Sequence, residues 1–67
     1  MIGVLAGKMK TKILIIEDDV KTANLIKLYL QQEYYTVQIA YDGREGLMLA
    51  RDYQPDLIVL DLMLPYV

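Results

Sequence analysis

Two continuous apolar runs, each cut off by an acid, constrain this chain more than any other feature. Ile13-Leu14-Ile15-Ile16 stops at Glu17-Asp18-Asp19, and Leu57-Ile58-Val59-Leu60 stops at Asp61. A strand with one wet face alternates apolar and polar residues. An unbroken run of branched aliphatic residues suits a strand inside a parallel sheet, where both faces are covered. Lys12 to Ile16 is therefore predicted to be a first, buried strand, and Leu57 to Leu60 a later one.

The residues between these runs supply the helices that parallel strands need. From Val20 to Gln32 the apolar Val20, Ala23, Ile26, Leu28 and Leu30 mix with Lys21, Asn24, Lys27 and Gln31, the pattern of an amphipathic helix that Asp18 or Asp19 is placed to cap. Thr36-Val37-Gln38-Ile39-Ala40 alternates with period two, as a strand at a sheet edge does. Asp42 followed three positions later by Glu45 reads as the start of a second helix that ends near Tyr53. Gln54-Pro55-Asp56 then breaks it. The order β-α-β-α-β with short connections implies an α/β fold with right-handed crossovers and a parallel sheet.

Composition narrows the chemistry. At 67 residues and 55% hydrophobic content there is apolar material for one core only. Neither cysteine nor histidine is present, which excludes disulfides, thiolate or imidazole metal sites, and Ser/His or Cys/His catalysis. A net charge of −2 argues against direct binding of nucleic acid. The one basic cluster, Lys8, Lys10 and Lys12, reads as a solvated lead-in to the first strand. Met1 to Ala6 is too short for a signal-peptide core, and no apolar run approaches the ~18 residues of a membrane span, so a cytoplasmic protein without membrane partners is expected. Residues 1–11 read as an N-terminal extension, and Met9 is an alternative start.

Parallel topology brings the carboxyl ends of the strands to one edge, so Glu17, Asp18 and Asp61 should meet there. Like charges a few ångströms apart repel by about 4 kcal/mol at an effective dielectric of 20. Such a cluster persists only if a cation or a proton neutralises it; a divalent ion is the natural solution, and oxygen ligands without His or Cys favour Mg²⁺. With the metal in place, the carboxylate at the strand end could attack a phosphoryl group and become an aspartyl phosphate. Asp19 reads as a simple helix cap. Gly43 and Gly46 lack the spacing and lysine of a phosphate-binding loop, and no glycine fingerprint for a nucleotide follows the first strand.

The motifs Ile13 to Asp19, Tyr41-Asp42-Gly43 and Pro55-Asp56-Leu57-Ile58-Val59-Leu60-Asp61-Leu62-Met63-Leu64-Pro65 resemble, in order and spacing, the receiver domain of bacterial response regulators. The branch with winged-helix DNA-binding outputs is especially similar. The resemblance implies a flavodoxin-like fold with strands in the order 2-1-3, and Asp61 accepting a phosphoryl group from a sensor histidine kinase. It also implies Mg²⁺ held by Glu17, Asp18, Asp61 and the backbone carbonyl of Met63. Pro65 would shape the following loop. The chain is thus expected to be a phosphate acceptor and not an enzyme. A phosphatase of the aspartyl type would show a second aspartate at Met63.

In that family a fourth and a fifth strand follow, so residues 12–67 read as a partial receiver, with phosphorylation impaired. The outer edge of the third strand would then be bare. A homodimer or higher oligomer formed through that strand is expected to complete the sheet. The alternative function is a self-associating, non-catalytic receiver fragment without signalling output.

Overall fold

The computed structural model describes residues 11–60. Three strands and two helices alternate along them: β1 (Lys12–Ile16), α1 (Val20–Gln32), β2 (Thr36–Ala40), α2 (Gly43–Asp52) and β3 (Leu57–Leu60). The sheet has the order β2-β1-β3, and both pairings are parallel. This is the α/β arrangement expected of a flavodoxin-like receiver.

The central position of β1 explains its composition. With β2 on one side and β3 on the other, its residues lie beneath helices on both faces, and Ile13, Leu14 and Ile15 are sealed from solvent. A polar side chain at any of the three would be buried at a cost of several kcal/mol unless it found a hydrogen-bond partner. Val37 and Ala40 of β2 and Ala23 of α1 complete the buried core, while Gln38 on the edge strand faces solvent, as its alternation predicts. The chain steps from β1 outward to β2, then back past β1 to β3. Right-handed crossovers in these two directions place α1 and α2 on opposite faces of the sheet.

Asp19, of the two acids considered, caps α1: its side chain accepts the Thr22 N–H at 2.9 Å. The helix ends in a Schellman arrangement. The Tyr34 N–H donates to the Gln31 carbonyl at 2.9 Å and the Tyr35 N–H to the Leu30 carbonyl at 3.2 Å, with Tyr34 in the left-handed region at φ 69. Of the residues expected to face inward from α1, only Ala23 is buried, whereas Val20 and Leu28 are exposed. A helix resting on a sheet this narrow covers it with one stripe of side chains and leaves the flanks wet.

In α2 the Asp42 side chain accepts the Glu45 N–H at 2.8 Å, and Glu45 Oε1 accepts the Tyr41 N–H at 3.0 Å. The pair forms a reciprocal cap whose returning bond reaches one residue before the cap itself. Gly46 lets this helix press on β1, since a Cβ there would lie 2.6 Å from Ile16 Cδ1 and 3.1 Å from Cγ1.

One expectation fails. Lys12 belongs to no solvated lead-in: its Nζ donates to the Tyr53 carbonyl at 2.9 Å and sits 5.1 Å from the centre of the Tyr53 ring. The Lys12 backbone is held as well, its N–H donating to Asp56 Oδ2 at 2.8 Å and its carbonyl accepting the Asp56 N–H at 2.7 Å. The Tyr53 carbonyl and ring, just past the end of α2, give the ammonium an acceptor and a π face. Lys8 and Lys10 lie outside the described residues.

Candidate functional site

The carboxyl ends of all three strands open into one cleft of about 350 Å³, lined by Ile16, Glu17, Asp18, Tyr41, Asp42, Gly43 and Leu60. Its place follows from topology. The chain leaves β1 towards β2 on one side and reaches β3 on the other, so the two connections diverge and leave a crevice at the switch point of the sheet.

Glu17 continues β1 by one residue, its N–H donating to the Ala40 carbonyl at 3.0 Å. That bond holds the glutamate at the sheet edge with its side chain only 3% exposed. Burying a carboxylate costs several kcal/mol unless hydrogen-bond donors or a cation offset the loss of water. One donor is the Asp19 N–H, which reaches Glu17 Oε2 at 2.7 Å. Asp18, between them, is exposed on the cleft. The Asp19 carboxyl is held below the usual aspartate range by the Thr22 side-chain and backbone hydrogen bonds.

Glu17 and Asp18 thus meet at one cleft, as their positions after β1 predict. Leu60, the last residue of β3 and the register partner of Ile16, lines the same cleft. Asp61 is next in sequence and, with Met63 and Pro65, lies outside the described residues. Among the described residues no three acidic side chains gather into a metal-holding group. The donor set that is described, Glu17 and Asp18 at an open cleft whose third acid, Asp42, caps α2, with no cysteine or histidine ligand in the chain, fits Mg²⁺, which takes one or two protein carboxylates and retains several waters.

Sequence reasoning gave Asp42 a capping role alone. Its presence on the cleft wall, beside Tyr41 and Gly43, follows from the same rule that placed Glu17: β2 ends where β1 ends. Applying that rule to all three strands finds these residues.

A parallel α/β sheet with carboxylates at its switch point is the architecture of a receiver module. The chain belongs to the response regulator receiver domain family, whose model matches residues 13–67, and so to the proteins of two-component regulatory systems. Among its relatives, response regulator ArlR of Staphylococcus saprophyticus is 54% identical over 55 residues, covering 82% of this chain and 25% of that protein. Response regulator ArlR of Staphylococcus aureus is 49% identical over the same share of each. The chain spans about a quarter of the length of these curated relatives.

Membership corrects one expectation. Receiver domains have autophosphatase activity, releasing their own phosphate, so the exclusion of enzymatic activity drawn from the sequence does not stand. Receivers also typically bind Mg²⁺ at the phosphorylation site, and their family interacts with sensor histidine kinases. Among the described residues no helix is long and apolar enough to cross a membrane.

Proposed function

We propose that this chain is the phosphoacceptor module of a response regulator, with Asp61 receiving a phosphoryl group from a phosphohistidine of a sensor histidine kinase. Glu17 and Asp18 hold Mg²⁺, joined by Asp61 and the Met63 carbonyl. The ion, when bound, neutralises charge on the transferred oxygens. Glu17 and Asp18 fix its place at the strand ends. The Asp61 carboxylate attacks phosphorus as the bond to the imidazole nitrogen breaks, and that nitrogen keeps the electron pair. The observation that carries this reading is the cleft at the ends of three parallel strands, with a buried Glu17 and an exposed Asp18 on its wall. The family match over residues 13–67 supports it, and residues 1–11 are proposed to be an extension ahead of the receiver unit.

Incubation with acetyl phosphate and Mg²⁺ is expected to give a phosphoryl adduct by intact-mass measurement, absent from Asp61→Asn and strongly reduced in Asp18→Asn. An adduct of equal yield on Asp61→Asn defeats the assignment. A net charge of −2 and an acidic cleft favour protein partners over direct contact with nucleic acid.

A second property has its own observation. Leu57, Ile58 and Leu60 of β3 are exposed, and among the described residues no strand pairs with its outer edge. An apolar strand edge without charge templates further pairing. The 67-residue chain is accordingly proposed to form a homodimer through antiparallel pairing of β3 with its copy. Sedimentation that finds a folded monomer at micromolar concentration rules this out.

A further inference from the structure

Asp19 stands outside the cleft wall and outside the metal set proposed above, yet it is tied in two directions. Its N–H donates to Glu17 Oε2 at 2.7 Å, and its own Oδ2 accepts both the N–H and the hydroxyl of Thr22 in the first turn of α1. Asp18 lies between the two anchored residues. Among the described residues no hydrogen bond holds the Asp18 carboxylate, so the backbone on either side of it decides where that carboxylate sits.

A ligand on an exposed turn must be ordered before it can bind, and fixing its backbone costs conformational entropy. A turn already fixed by hydrogen bonds spares the cation that cost, the advantage that rigid supporting groups give any metal site. The bonds from Glu17 to Asp19 and from Asp19 to Thr22 fix this turn at both ends. Helix α1, packed on β1 and β2, supplies the rigid body to which the turn is fastened.

We propose that Asp19 is a positioning residue for the cation site: it presents Asp18 to Mg²⁺ through the bracket from Glu17 to Thr22, acting by its capping hydrogen bond and not by its charge. The inference rests on the reading that Glu17 and Asp18 hold Mg²⁺.

The test compares Mg²⁺ affinity, measured by calorimetry at moderate salt, across Asp19→Asn, Asp19→Ser and Asp19→Ala. Asn and Ser lose the charge and keep a good cap; Ala loses both. The proposal expects Asn and Ser to bind within about threefold of the parent and Ala about tenfold more weakly, the order of effect seen when a group orienting a metal ligand is removed. Thr22→Val, which spares the backbone bond, is expected to weaken binding about two- to threefold, with Thr22→Ser restoring it. Thermal unfolding followed in parallel separates affinity from folding, because a residue that only stabilises α1 lowers the midpoint and leaves the Kd of the folded protein unchanged. Equal weakening in all three Asp19 variants overturns the proposal in favour of charge. Unchanged affinity in both Asp19→Ala and Thr22→Val overturns it in favour of a purely structural cap. A parent chain that shows no Mg²⁺ response defeats the metal reading itself, and this inference with it. That result is distinct from a normal parent response with unaffected variants.

Discussion

At the scale of single residues, Tyr34 is held in a conformation that its side chain disfavours. The Schellman end of α1 requires a left-handed residue, and a side chain with a Cβ adopts that region at a cost of roughly 1–2 kcal/mol. Tyr34 is 81% exposed, so its ring returns little by packing. Glycine meets no such penalty, although it surrenders roughly 0.5–1 kcal/mol of chain entropy on folding. Tyr34→Gly is therefore expected to stabilise the fold by about 0.5–1 kcal/mol, read as a higher urea midpoint. A lower midpoint would show that the tyrosine ring contributes more than its exposure implies. Gly46 poses the opposite case, since the missing Cβ there is what admits Ile16, a wall of the cleft.

At the scale of elements, the strands and helices were legible because each carries its own period. The unbroken run of β1, the alternation of β2 and the acid-capped starts of both helices are local patterns, and local hydrogen bonds enforce them. That Glu17 and Asp18, adjacent after β1, line the cleft was legible because parallel strands share a carboxyl edge, whereas their convergence with Asp61 lies outside the described residues. What the sequence hid is non-local. Lys12 reaches a carbonyl 41 positions away, and no period in the chain announces it. Lys12→Met, which keeps the aliphatic stem and both backbone bonds to Asp56, removes the bond to the Tyr53 carbonyl and the cation above its ring. A loss of about 0.5–1.5 kcal/mol is expected. Chemical denaturation checks it, and an unchanged midpoint would return Lys12 to the solvent.

At the scale of the whole molecule, burial is concentrated in one strand. Ile13, Leu14 and Ile15 of β1 are sealed, whereas Leu57, Ile58 and Leu60 of β3 remain exposed. A chain of this size buries a modest share of its surface, so its stability depends strongly on whether those side chains find cover. If β3 pairs with its copy, the thermal midpoint should rise with protein concentration. Ile58→Lys, which puts a charge on the pairing strand, should abolish the rise and leave a monomer. A midpoint independent of concentration in the parent chain would end the dimer reading without touching the receiver assignment.

The two hydrogen bonds between the Lys12 backbone and Asp56 lie at the far end of the sheet from the cleft, and they lock β3 to β1 before Leu57 begins. Strands advance about 3.3 Å per residue and turn to the other face with each step. One residue inserted between Asp56 and Leu57, after this clip, would thus carry Leu60 that distance along the rim and reverse its facing, whereas one inserted before Asp56 would be taken up in the turn. The clip works as a gauge: a contact remote from any chemistry measures out how far the third strand extends into the crevice.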